Sequence, residues 1–205
     1  LSEGMAHFST LLLFDQVRGP RGRMEFAKGI ENRYADRRRV ASERPMYDVD
    51  GKRPSDTTVI YDKGGWVFWM LYDYMGHDRA LAGVQNFIRV WSVGRDHAAL
   101  QDFVEAMRPY AVDAVAYDAF VKQWFDSVVV PEYKLADAKK IARTGGAYDV
   151  TVTVRNAGSA RMPVEVAATT AGDRWITPKD TRKPGRWAQN AKYRDARTTI
   201  TLGAG

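Results

Sequence analysis

From Glu3 to about Trp124, apolar positions recur every three or four residues, the period of helices that each bury one face. Met5, Phe8, Leu12 and Leu13 line a first stretch. It stops at Arg18-Gly19-Pro20, where Gly offers a left-handed cap and Pro cannot continue the helix behind it. A second, heavily charged helix is predicted over residues 21–40, with Arg37-Arg38-Arg39 placed to complement the dipole at its C-terminal end. Residues 44–55 hold Pro45, Asp50-Gly51 and Pro54 and read as a loop. Residues 61–75 carry Trp66, Phe68, Trp69, Leu71, Tyr72 and Tyr74, so a helix apolar on nearly every side is expected, closed by Gly76-His77-Asp78. Three further helices, over 79–91, 97–107 and 113–125, are separated by Ser92-Val93-Gly94-Arg95 and by a turn at Pro109. Such short connections imply antiparallel neighbours.

The period changes after Val130-Pro131-Glu132-Tyr133. Tyr148, Val150, Val152 and Val154 alternate with Asp149, Thr151, Thr153 and Arg155, the period of two of a half-buried strand. Asn156-Ala157-Gly158-Ser159 then reads as a turn, and Val164, Glu165, Val166 and Ala167 resume the alternation, which together signal a β-hairpin. Residues 197–202 give another strand. The expected architecture is a mostly α part, residues 1–135, built as an antiparallel helical bundle, followed by a small β-sandwich-like domain, residues 136–205. Three or four strands are too few to close a sandwich, so the expectation is that further strands lie beyond Gly205.

Composition narrows the class. The 205 residues are 45% hydrophobic and 27% charged, enough apolar material for a packed core. No window approaches the ~20 consecutive apolar residues of a membrane-crossing helix. Leu1-Ser2-Glu3 has neither an initiator Met nor a secretory pattern, so any targeting segment is expected outside this sequence. There is no cysteine, which excludes disulfides and thiolate metal sites and leaves His and carboxylates as strong metal ligands. His7, His77 and His97 form neither a His-x-x-x-His nor a His-x-x-Glu-His spacing, so a complete zinc site is not encoded here. The net charge of +6 belongs to the tail: residues 136–205 hold 13 Lys/Arg and 6 Asp/Glu, residues 1–135 hold 18 and 19. These charges are scattered and lack a stripe of stacking aromatics, which favours a solvated surface over a nucleic-acid groove.

Two short segments of the helical part carry a resemblance. They are Leu1-Ser2-Glu3-Gly4-Met5-Ala6-His7-Phe8 and Tyr61-Asp62-Lys63-Gly64-Gly65. Together they resemble the aminopeptidase N family of gluzincin zinc metallopeptidases. The likeness continues through Gly83 to Phe87, Leu100-Gln101-Asp102-Phe103 and Trp124 to Tyr133, about the first two thirds of the chain. In that family a His-Glu-x-x-His helix supplies two zinc ligands and a general base, and an Asn-Glu-Gly-Phe/Met-Ala segment supplies the third ligand. A Tyr in a Tyr-x-Lys-Gly segment then hydrogen-bonds the tetrahedral intermediate.

The resemblance implies that Glu3 is the third zinc ligand, with Ser2 in place of the commoner Asn, and that Tyr61 is the catalytic tyrosine. It implies a longer parent that uses Zn2+ to hydrolyse peptide substrates, removing N-terminal residues. The present piece, without the His-Glu-x-x-His helix and the Gly-x-Met-Glu-Asn strand that recognises a free amino terminus, is expected to be inactive and to bind zinc weakly or not at all by itself. Val129-Val130-Pro131-Glu132-Tyr133 before a Val/Thr-rich β region looks most like bacterial members joined to permease segments, which implies membrane association through parts outside this chain.

Elementary chemistry supports those roles. A catalytic zinc needs three protein ligands and an open position, and a phenol about 3 Å from a developing oxyanion stabilises the transition state more than the substrate. Taken singly, Glu3 is an ordinary dipole partner at a helix start and Tyr61 an ordinary amphipathic residue at a core edge. His7 reads as packing or as support behind the ligand. Lys63 either steers substrate or is a solvated or salt-bridged lysine. The rival reading of the chain is a non-catalytic helical scaffold whose basic β appendage docks an acidic partner or a lipid surface.

Overall fold

The computed structural model describes residues 1–93, 97–170, 172–176 and 188–203. These residues form a helical part followed by small antiparallel sheets. They separate into two compact units, with the division between Val128 and Val129. Residues 133–142, within which the sequence reading divides the chain at 135/136, form one strand.

In the first unit, helix α1 spans Ser2–Arg38 and is interrupted only at Gly19, whose φ of 75° lies in the left-handed region that Gly adopts without penalty. Twelve residues of straight helix would extend about 18 Å. The rings of Phe14 and Phe26 nevertheless stack with centroids 5.4 Å apart. The chain therefore folds back at Gly19-Pro20, and the two expected helices become the arms of one bent element.

The expected loop over 44–55 holds as far as Arg53 and contains a short 3₁₀ turn at Met46–Asp48. Beyond it the structure departs from the sequence reading, which starts a helix at Tyr61. Helix α2 (Pro54–Thr58) passes into a π-helical turn, Val59–Lys63, and then into α3 (Gly64–Met75). Tyr61 thus sits within a widened turn and not at the mouth of a helix. Periodicity does not show such a turn here, since α3 is apolar on nearly every side and offers no single face from which a one-residue slip could be read.

Helix α3 buries Val67, Phe68, Trp69, Leu71, Tyr72 and Met75, which makes it the spine of the core. Gly76, with φ of 81°, ends it, and α4 (His77–Trp91) follows at once. Helix α5 covers Leu100–Met107, three residues shorter at its start than predicted, because the Asp102 carboxylate accepts the Ala99 amide at 2.8 Å and fixes the helix start there. Asp113 caps α6 (Ala114–Trp124) through the amides of Val115 and Ala116. Phe68 and Phe87 both meet Phe103 at 5.2 Å, joining α3, α4 and α5 in one aromatic cluster. Gly94 and Arg95 of the expected separator lie outside the described residues. Among the described residues no helix is long and apolar enough to cross a membrane.

The second unit corrects the expected hairpin. Strand β2 (Tyr148–Asn156) pairs with the preceding strand β1 (Tyr133–Ala142), and β3 (Met162–Thr169) pairs with β6 (Asp195–Leu202). Short strands β4 (Trp175–Ile176) and β5 (Ala188–Gln189) pair with each other. The Asn156–Ser159 turn exists: Asn156 accepts the Gly158 amide at 3.0 Å and donates to the Ala160 carbonyl at 2.8 Å. It leads, however, from one sheet to the other. Strand β1 escapes the periodicity because a bulge between Leu135 and Asp137 reverses its phase, so that Leu135, Ala138, Lys140 and Ala142 all oppose the apolar side of β2.

Candidate functional site

The two residues singled out by resemblance come together in the structure. Glu3 lies in the first turn of α1 and Tyr61 in the π turn, and the arms that carry them cross where neither has bulk. A Cβ on Gly4 would lie 3.2 Å from the Gly64 Cα, and one on Gly65 would lie 2.5 Å from the His7 Cβ. Glycine at these positions permits backbone contact, which brings the side chains flanking the crossing within reach of each other. The sequence expectation that Gly64 and Gly65 let their helix lie against a neighbour is met, and the neighbour is the segment bearing Glu3.

At this crossing the Tyr61 phenol faces the Glu3 carboxylate. The carboxylate as a hydrogen-bond acceptor, then burial, then the carboxylate's charge raise the phenol above its ordinary value of 10. The phenol therefore keeps its proton at neutral pH and is a donor. Tyr61 is 36% exposed and Glu3 half-buried, so the pair opens to solvent on one side.

The residues following Tyr61 turn inward. Asp62 is 5% exposed and accepts from Arg33 Nε at 3.2 Å and Nη2 at 2.8 Å. Lys63 is likewise 5% exposed and pairs with Glu43, whose carboxylate also receives Arg38 Nε at 2.7 Å and the Tyr34 hydroxyl at 2.6 Å. Burial, then the bond to Glu43, pushes the Tyr34 phenol well up. Of the two sequence readings of Lys63, the salt-bridged one holds, and the lysine does not reach solvent to steer a substrate. A part-buried pair to Arg33 and a sealed pair to Glu43 thus fasten the turn, and Tyr61 is left as its outward-facing member.

His7 packs at the same place. Its Nδ1 lies 2.9 Å from the Tyr61 carbonyl oxygen and 3.7 Å from Asp62 Oδ1, and its ring meets those of Tyr61 and Phe26 edge-on at 5.7 and 5.9 Å. His77 is elsewhere, stacked on Tyr72 at 4.1 Å with Nε2 3.3 Å from Asp73. Sequence reasoning missed Glu43 and Arg33. The available signal was their partners, the charges Asp62 and Lys63 beside an otherwise apolar helix; such charges must be paired if buried.

A carboxylate offers about four lone-pair sites, so Glu3 beside the Tyr61 phenol keeps capacity for a cation. Among the described residues no group of three His, Asp or Glu side chains could hold a metal ion. Comparison with protein-family models, curated proteins and solved structures gives no match.

Proposed function

We propose that this chain is part of the catalytic region of a zinc metallopeptidase resembling the aminopeptidase N family, with Glu3 as the carboxylate ligand and Tyr61 as the hydrogen-bond donor to the reacting carbonyl. In this reading the helical unit is the C-terminal half of the catalytic domain, an antiparallel bundle, and the β unit is the beginning of a sandwich-like domain. Two imidazole ligands and a general base would come from a preceding segment of a longer parent.

What supports the reading is the placement of Tyr61 on Glu3. Sequence alone sets them far apart and gives each an ordinary alternative role, whereas a shared, half-open face is what joint action on one carbonyl requires. Zinc, when bound, would lower the pKa of its water and polarise the scissile carbonyl. Glu3 would supply one anionic ligand. Tyr61, protonated at neutral pH, would donate its phenolic proton to the oxygen that gains charge as the carbonyl becomes tetrahedral. The ion pairs at Asp62 and Lys63 would keep that donor fixed, which lowers the cost of organising it during reaction.

The test is to extend the chain upstream of Leu1, then measure bound zinc and release of the N-terminal residue from an unblocked peptide amide. One zinc per chain and hydrolysis, both lost on Glu3→Ala, are expected. Hydrolysis that persists in metal-free Glu3→Ala protein, or an upstream segment with no His-Glu-x-x-His, sinks the reading.

A further inference from the structure

We propose that His7 is a positioning residue for Tyr61: by donating its Nδ1 proton to the Tyr61 carbonyl it holds the π turn, and with it the phenol, against the helix that carries Glu3. The inference rests on the reading of Glu3 and Tyr61 as one site and adds a residue that this reading leaves unused.

Three observations carry it. The first is the contact itself, 2.9 Å from His7 Nδ1 to the Tyr61 carbonyl oxygen, between residues on different elements. The second is the kind of turn that receives the bond. A π turn shifts backbone carbonyls out of the regular i→i+4 ladder, so a side-chain donor aimed at one of them stabilises the widened form over the α-helical one. Reverting to α geometry would rotate Tyr61 away from its present direction, because each residue added or removed turns the face by about 100°.

The third observation is that the imidazole is confined. Its ring meets Tyr61 and Phe26 edge-on, and Gly65 lies directly against its Cβ. The same Nδ1 is 3.7 Å from Asp62 Oδ1, which Arg33 holds in place. Both atoms that face Nδ1 are acceptors, so the proton belongs on that nitrogen. His7 therefore bonds the backbone of the very residue whose side chain reaches Glu3.

Nuclear magnetic resonance on the full chain tests this without metal or substrate. In 15N-labelled protein the His7 ring should carry its proton on Nδ1; a neutral ring protonated only on Nε2 overturns the proposal. Two variants give the second readout, the cross-relaxation between the Tyr61 ring and the Glu3 side chain. His7→Asn keeps a donor near the Nδ1 position and should retain the signal. His7→Phe keeps the ring but has no donor and should lose it. A folded His7→Phe protein with the signal intact, or its loss in both variants, overturns the donor role. Should His7→Phe not fold, the tautomer decides alone. These readouts do not involve hydrolysis, so their failure is distinct from failure of the peptidase reading.

Discussion

Gly4 and Gly64 face each other across the contact between α1 and α3 so closely that a Cβ on Gly4 would stand 3.2 Å from the Gly64 Cα, 3.1 Å from the Ile60 carbonyl oxygen and 2.9 Å from Phe68 Cε2. Two of these three atoms are backbone and cannot move aside alone. Gly4→Ala should therefore separate the arms and cost about 1–3 kcal/mol despite the better helix propensity of Ala. Urea denaturation measures the loss, and an unchanged midpoint would show that the contact is looser than its geometry. The same variant should draw the Tyr61 phenol and the Glu3 carboxylate apart, which sit on either side of the crossing.

The Glu43–Lys63 pair predicts an asymmetry. Both side chains are nearly sealed from solvent, at 2% and 5% exposure. Glu43 has two further donors in Arg38 and Tyr34, whereas Glu43 is the partner found for Lys63. Glu43→Leu strands an ammonium and should cost roughly 3–5 kcal/mol. Lys63→Met leaves a carboxylate that keeps other partners and should cost less. Combining the two removes the uncompensated charge and should recover part of the loss. Strict additivity in the double-mutant cycle would mean that the pair is not coupled.

How far the chain could be read beforehand follows from these residues. The helical period located α3, α4 and α6 because their buried faces are local facts of sequence. Glu3 and Tyr61 were legible only as a pair of motifs, and Gly64 and Gly65 gave the crossing away since nothing else explains paired glycines in an apolar helix. The π turn was not legible, and neither was Glu43, which lies in a loop without period and matters only through a partner twenty positions away. In the β unit, strands were readable where alternation was unbroken. Pairing was not, because register is decided between segments: β2 turned out to belong with a lysine-rich strand whose phase a bulge reverses.

Acid should destabilise the loop that supports this arrangement. The Arg44 guanidinium, with help from the Asp50 amide, lowers the carboxyl of Asp56 below its ordinary 3.8. The Lys52 amide, then Arg44, lowers Asp50 to about 2. A depressed folded pKa means that the folded state holds fewer protons than the unfolded chain. Its contribution is complete above the ordinary value near 3.8 and is lost as pH falls toward about 2. Unfolding free energy measured against pH should accordingly fall across that interval. Arg44→Met should flatten the slope, and an identical slope in the variant would remove Arg44 as its cause.

In the longer peptidase proposed above, Tyr61 and Glu3 should fail in different ways when altered. The phenol is proposed to act only as charge develops on the carbonyl oxygen, so Tyr61→Phe removes an interaction absent from bound substrate. It should lower kcat by roughly a hundredfold or more, with KM nearly constant and zinc content unchanged. Glu3→Ala instead removes a ligand. Activity should then fall in step with bound zinc, and excess zinc should restore part of it, since the remaining ligands can still fill under mass action. The raised phenol of Tyr61 adds a check on the pair that needs no turnover: with its carboxylate partner gone in Glu3→Ala, the largest cause of the shift disappears and the titration should move back toward 10. A Tyr61→Phe enzyme with unaltered kcat, or one that loses zinc as Glu3→Ala does, would leave the phenol without the role assigned to it.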